Sequence, residues 1–342
     1  MWTVCSHFVD TGTVEIDRTF KGRTMKAIRV YEAGAPDVMK VEEIADLQPQ
    51  AGEVRVRIRA AGVNPVDTYF RSGTYPLPPS PFTPGIDGAG EIDALGDGVT
   101  QWKVGDRVYL GLKSSGSYAE QATAQSDAIY RLPDNISFAQ GAALGVPYAT
   151  AYLALFSKAK AQTENVVLVH GASGGVGLAA LQICRAHGWK VLGTAGTREG
   201  RKLVEEQGAE AFDHTSPDYL QEIVGYNCGR GPDVILEMLA NVNLAKDLNI
   251  VAPRGRIVVI GNRGEVQINP RDLMRKDASV TGILLFNATL QELNEAHSFI
   301  IDGLKGGMLN PTVRCELPLA DAPHAHELVL KSGAGGKIVL VP

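Results

Sequence analysis

The chain has 342 residues, of which 44% are hydrophobic and 21% charged, and a formal net charge of −5. That length exceeds the roughly 250–300 residues that one hydrophobic core sustains, so two lobes are expected. The balance is that of an ordinary globular protein: it argues against a dedicated nucleic-acid binder, and no apolar run approaches the ~20 residues of a membrane span. Cys5, Cys184, Cys228 and Cys315 are scattered without a C-x-x-C pair. This predicts free thiols in a reducing compartment, the cytoplasm, and denies the clustered thiolates of a structural zinc site.

Residues 1–24 read as a poorly ordered extension, with Met25 a second candidate start. Asp10, Glu15 and Asp17, and the missing apolar segment, make this leader unlike a secretory signal or an Arg-rich transit peptide. Lys26–Tyr31 begins the first strand. Val54-Arg-Val-Arg-Ile-Arg59 then alternates strictly, which predicts a strand with one buried face and a solvated row of Arg55, Arg57 and Arg59 that also discourages edge pairing. Pro and Gly punctuation from Pro76 to Gly105 cuts the following segment into short strands and turns. Residues 25–146 are therefore expected to form an irregular β domain.

From Val146 onward apolar strand-like runs alternate with helical ones. The runs are Val166–His170, Val191–Thr194, Ala211–Asp213, Asp233–Leu236, Arg256–Ile260 and Val280–Phe286. Six such runs over 147–286 describe a doubly wound parallel Rossmann sheet, an α/β fold. Two helical stretches and a final strand, Lys337–Val341, follow and are expected to return to the first domain, so 287–342 is grouped with 25–146. Val280–Phe286 is predicted as the terminal strand, whose apolar edge suits pairing with a second copy of the chain.

The first of these runs leads into His170-Gly-Ala-Ser-Gly-Gly-Val-Gly177 and then a helical pattern. Strand, glycine-rich turn and helix in that order open a dinucleotide-binding βαβ unit, where glycines admit a pyrophosphate and the helix N-terminus attracts it. The match is partial, because Ala172 stands at the first position of G-x-G-x-x-G; the glycines read as G-x-x-G-x-x-G. The second strand ends Leu192-Gly-Thr-Ala-Gly196-Thr-Arg198-Glu-Gly-Arg201-Lys202, with no acid at its tip to bind a ribose 2′-hydroxyl. Small residues and three following cations favour NADPH over NADH. Ile260-Gly-Asn-Arg263 falls at the end of a parallel strand, on the ligand-binding edge of such a sheet.

A family resemblance is carried by Ala60–Tyr75, Thr83–Glu91, Val104–Val108 and Val169–Gly177, with Glu237–Leu244 and Ile268–Asp272 adding to it. Together these stretches resemble the zinc-free quinone oxidoreductases of the medium-chain dehydrogenase/reductase superfamily, zeta-crystallin type, over about Lys26–Val341. The resemblance implies a GroES-like catalytic domain and a zinc-independent NADPH:quinone reductase, with one-electron transfer to orthoquinones and a homotetramer. No Cys lies between Cys5 and Cys184, and Ile86 stands where zinc-dependent relatives carry a His, so no metal site is expected. Implied cofactor contacts are Tyr69, Ser173, Gly174, Gly175, Val176, Gly196, His214, Asn243, Ile260, Gly261, Asn262, Arg263, Ile283, Leu284 and Leu285. At the nicotinamide end the candidates are Asn64, whose amide reaches either a substrate carbonyl or the loop backbone, and Tyr69 and Tyr75, which sandwich a planar quinone. Reduction of an enone or enoyl-thioester C=C bond is the alternative enzyme reading. AU-rich RNA binding, which the resemblance also implies for some members, and a lens-type structural role are the readings from other classes.

Overall fold

Val54, Val56 and Ile58 are each buried while the arginines between them face outward, which fixes one face of the longest strand in the molecule. The computed structural model describes residues 22–333 and 335–342; most of the expected leader, and Cys5, lie outside them. The first part of the chain holds β1 (Thr24–Arg29), β2 (Lys40–Ala45), β3 (Glu53–Val63), α1 (Pro65–Ser72), β4 (Asp87–Leu95), β5 (Arg107–Leu110), β6 (Gln121–Gln125), β7 (Ile129–Arg131), α2 (Phe138–Gly141) and α3 (Gly145–Leu153). β3 lies between β4 on one side and β6 and β15 (Lys337–Val341) on the other. It is an interior strand, so its arginines are not an edge-guarding device.

The middle of the chain alternates strand and helix: β8 (Val166–Val169), α4 (Gly175–Ala186), β9 (Lys190–Thr194), α5 (Arg198–Glu206), β10 (Glu210–Phe212), α6 (Tyr219–Tyr226), β11 (Val234–Glu237), α7 (Ala240–Ile250), β12 (Arg256–Val259), α8 (Pro270–Met274) and β13 (Ser279–Gly282). All six strands pair in parallel, in the order β10-β9-β8-β11-β12-β13. This is the doubly wound Rossmann order, with the switch point between β8 and β11. Every strand expected here is present. The last is shorter than expected: Ile283 N donates to Val259 O at 3.0 Å, and β12 ends there, so the rest of Val280–Phe286 pairs with no strand among the described residues and turns into a 3₁₀ segment, Leu285–Asn287.

α9 (Leu290–Lys305), β14 (Val313–Pro318), α10 (Ala322–Leu328) and β15 complete the chain. β15 adds antiparallel to β3, as expected of a returning strand, whereas β14, which pairs with it in parallel, was not anticipated. The two sheets share one core. Ala60, Ala89 and Tyr109 belong to the same buried cluster as Val167, Val169 and Ile300, with Tyr148 and Ala151 of α3 between them. α3 therefore joins the two lobes, with Val146 and Ala149 facing Leu285 of the segment after β13.

Candidate active site

The glycine-rich turn begins where β8 ends. Gly171 has φ +57°, a left-handed value that a residue without Cβ adopts freely. Its N–H donates to Thr194 Oγ1 at 3.2 Å, and Ala172 N–H donates to Thr194 O at 2.9 Å, so the turn is pinned to the end of β9. A Cβ on Gly177 would lie 2.6 Å from Ala172 Cα, so this glycine allows α4 to pack directly on the turn. Gly174 N–H donates to Gly171 O at 3.0 Å, and α4 begins at Gly175, so the N–H groups of its first turn are left without intrahelical acceptors beside this turn.

The other expected cofactor residues line the same edge. His214, at the end of β10, lies against Gly196 at the end of β9: a Cβ there would sit 2.6 Å from His214 Nε2. Burial, reinforced by His170, holds His214 below its usual range. Ile260 and Gly261 donate their N–H groups to Glu237 O, at 2.8 and 3.2 Å, and Asn243 Nδ2 donates to Glu237 Oε1 at 3.2 Å. Arg263 N–H donates to Asn241 Oδ1 at 3.0 Å, and Asn262 Nδ2 to Gly264 O at 2.7 Å. Ile283, Leu284 and Leu285 follow β13. Of the three cations after β9, Arg201 is bound to Asp213 at 2.6 Å and Lys202 is 3.9 Å from Glu206. Arg198 is exposed at the start of α5 and forms no ion pair among the described residues.

The opposite wall holds the largest departure from expectation. Asn64 is 3% exposed, and its amide meets neither solvent nor loop backbone. Nδ2 donates to Asp87 Oδ2 at 2.9 Å, and Oδ1 accepts from Lys337 Nζ at 2.5 Å. Lys337 Nζ also donates to Asp87 Oδ2 at 2.6 Å, and Asp87 Oδ1 accepts Val146 N–H, capping α3, at 2.7 Å. Asn64 is thus fully engaged in a buried ionic knot, because a buried carboxylate must be saturated with donors. Beside it Asp67 accepts Asn64 N–H at 2.8 Å and the Tyr118 hydroxyl at 3.2 Å, and burial pushes its carboxyl up to about 7.

Tyr69 and Tyr75 are half-buried, and their ring centroids lie 5.6 Å apart at 66°. Rings in edge-on contact leave no slot between them, so the sandwich expected for a planar quinone is not formed by this pair; each offers a single face. Phe70 meets both Tyr75 and Phe286, which ties α1 to the turn after β13. Ile86, Asp87, Val146, Ala149, Leu285 and His297 border a narrow gap between the lobes that has no room for a water molecule. His297 went unremarked in the sequence. Its Nδ1 lies 2.9 Å from the Tyr109 hydroxyl, its ring stacks on Tyr130 at 3.6 Å, and burial pushes it down to about 3, so it stays neutral. A lone His within a helical pattern carries no signal of this placement.

The donor set in the cleft does not fit a zinc ion. Ile86 brings no ligand atom, and the Asp87 carboxylate is already neutralised by Lys337. Among the described residues, the His, Cys and acid side chains close enough to share an ion are His170 after β8, Glu237 at the end of β11 and Asp247 on α7, outside the lining of that gap. The arginine row of β3 is likewise engaged: Arg55 pairs with Asp93 at 2.8 Å, Arg59 with Glu91 at 2.7 Å, and Arg57 lies 3.7 Å from Asp93. Such a row is poorly suited to counting phosphates on RNA. No helix among the described residues is long and apolar enough to cross a membrane.

Comparison with known proteins agrees with this geometry. Residues 50–134 match the alcohol dehydrogenase GroES-like domain, and residues 175–301 match the family described as zinc-binding dehydrogenase. The chain is similar to a human quinone oxidoreductase, 47% identical over 323 residues, which cover 93% of this chain and 98% of that one. Among solved structures, Escherichia coli quinone oxidoreductase complexed with NADPH superposes with a TM-score of 0.83 at 30% identity, covering 93% of this chain and 100% of that chain. A Pseudomonas syringae quinone oxidoreductase gives a TM-score of 0.85 at 32% identity over the same shares. Two sheets in this arrangement, a glycine turn at the switch point and near full-length identity place the chain among the quinone oxidoreductases of the medium-chain dehydrogenase/reductase superfamily.

Proposed function

We propose that this protein is an NADPH-dependent quinone reductase that works without zinc. The observation that carries the reading is the glycine turn, set at the switch point of a sheet whose second strand ends without an acid and is followed by the unpaired Arg198. When bound, NADPH supplies the reducing electrons. The chain's own residues bind and orient. The turn Ser173–Val176, through the N–H groups at the start of α4, holds the diphosphate, Gly196 and His214 flank the adenosine phosphate, and Arg198 meets the 2′-phosphate. Asn243 and residues 260–263 and 283–285 carry the rest of the nucleotide toward the cleft. Tyr69 offers a face to the nicotinamide and Tyr75 supports it; Asn64 acts by fixing Asp87 and Lys337. The substrate is a flat, electron-poor ring such as an orthoquinone, taken against Tyr69 and Tyr75 at the nicotinamide end, and water supplies the proton.

The working division is a catalytic domain of 25–146 and 287–342 with a nucleotide-binding domain of 147–286. Two copies pair through the open edge of β13, a pairing that size-exclusion chromatography with light scattering reads directly. Cysteines 184, 228 and 315 are free thiols, which suits the cytoplasm.

The test is turnover of 1,2-naphthoquinone by chelator-treated protein with NADPH and with NADH. We expect undiminished activity after chelation and a preference for NADPH. Absence of turnover with any quinone sinks the activity, and loss on chelation sinks the metal-free reading.

A further inference from the structure

Behind the glycine turn lies a buried cluster that the cofactor contacts leave unused. His170, Glu237 and Asp247 are 2%, 0% and 0% exposed. His170 Nε2 is 2.9 Å from Asp247 Oδ1 and 3.7 Å from Glu237 Oε2. The remaining oxygen of each acid, Glu237 Oε2 and Asp247 Oδ2, is buried with no hydrogen-bond partner among the described residues. An ionised carboxylate only accepts hydrogen bonds, whereas a protonated one also donates. One oxygen of each acid lies within 4.8 Å of the other, so a single proton on the pair both supplies a donor and relieves the repulsion of two adjacent buried charges.

We propose that Glu237 and Asp247 share one proton as an acid–carboxylate pair, and that with His170 they are positioning residues setting how tightly the glycine turn holds the NADPH diphosphate. Two connections reach the nucleotide edge. His170 Nδ1 lies 3.2 Å from Thr194 Oγ1, the same atom that accepts Gly171 N–H. Glu237 Oε1 accepts from Leu239 N–H and from Asn243 Nδ2, which holds the start of α7. Loss of the shared proton places an extra negative charge directly behind a turn whose front receives two phosphates. The other titratable or charged groups acting on the cluster are Lys246 of α7, Tyr219 of α6, and His214 after β10 with its neighbours Arg201 and Asp213. Burial pushes Glu237 up to about 7, and Asp247 with Glu237 holds His170 above its usual range against its burial, so the cluster loses its proton close to neutrality.

The inference rests on NADPH lying on this turn, and its test separates the two ideas. Glu237→Gln keeps the oxygen that accepts from Leu239 and Asn243 and places an N–H where the acid proton sits, so it mimics the protonated pair permanently. NADPH dissociation constants are measured by fluorescence titration for wild type and variant across about pH 6 to 8.5. Wild-type affinity is expected to weaken roughly fivefold more than that of Glu237→Gln over this range, the low end of linked-site couplings. Titration of the nucleotide and of His214 is common to both proteins. Parallel profiles overturn the proposal. Infrared spectra of the nucleotide-free wild type should show a buried carboxylic-acid C=O band that disappears above neutral pH and is missing in Glu237→Gln. Its absence overturns the shared proton whether or not NADPH binds and whether or not the variant folds. A stoichiometric metal ion, bound by wild type and lost in the variant, also overturns it, since a cation would then supply the charge.

Discussion

Arg198 and Lys337 show how differently one cation acts at a surface and in a core. Arg198 is exposed, so its removal leaves the fold intact and touches only what it binds. Arg198→Ala is expected to raise KM for NADPH roughly tenfold, the worth of one charge-assisted hydrogen bond, and to leave KM for NADH unchanged in steady-state assays. Equal effects on both would remove Arg198 from the 2′-phosphate. Lys337 is 4% exposed between Asp87 and Asn64. Lys337→Met strands a buried carboxylate and should cost about 3–5 kcal/mol in urea unfolding, because an uncompensated interior charge is far worse than an absent pair. The contrast also explains what the sequence made legible. The glycine turn is written in consecutive residues, and so is the acid-free strand after it. The Asn64–Asp87–Lys337 knot joins positions 23 and 250 residues apart, and no local pattern announces that a lone lysine before a final apolar strand will be buried. For the same reason Asn64 was expected to reach a substrate carbonyl or the loop backbone: its place in the motif was visible, its partners were not.

At the level of single elements, packing decides which glycines are replaceable. In Gly177→Ala the new methyl group meets backbone atoms of Gly171 and Ala172, which cannot swing aside. We expect a loss of about 1–3 kcal/mol from overpacking, with weakened NADPH binding as α4 is pushed off the turn. Thermal unfolding and nucleotide titration of the same variant check both effects. Gly225 in α6 has no atom within 4 Å of its virtual Cβ. Gly225→Ala should therefore stabilise by ~0.5–1 kcal/mol through helix propensity alone, read in urea unfolding. The strands of the parallel sheet were legible because burial on both faces writes continuous apolar runs. Their ends were less so: apolarity continues through Leu284–Phe286, whereas the ladder stops when β12 stops. β14 was invisible for the converse reason, since Val313-Arg-Cys-Glu-Leu-Pro318 is half-buried and takes its strand identity from β15 beside it.

Over the whole molecule, buried titratable groups set a stability profile with opposing limbs. Burial raises Asp67 and Glu237 to about 7, so the folded chain holds protons that the unfolded chain has released. Their contribution is fully present at low pH and is lost as pH rises toward about 7. Burial lowers His297 and His326 to about 3, so the unfolded chain binds protons that the folded chain refuses. Their contribution is present above the ordinary histidine range and is lost as pH falls toward about 3. Between about pH 4.5 and 6.5 two groups act each way, and their slopes cancel. His326→Gln removes one descending limb. Relative to wild type, the variant should gain about 1.4 kcal/mol for each pH unit of acidification in that window, measured by urea unfolding at both ends. An unchanged difference would show that His326 is charged in the folded chain. The position of Lys337 in the chain has a further consequence, for biosynthesis. Asp87 is made early, and the ammonium that neutralises it belongs to the last strand, 250 residues later. Until residues 337–341 are synthesised, the sheet around β3 lacks both its neighbour β15 and its counter-ion. The catalytic lobe is therefore completed only once β15 has been made, and the Rossmann strands, whose partners are all made before residue 283, have the first opportunity to fold.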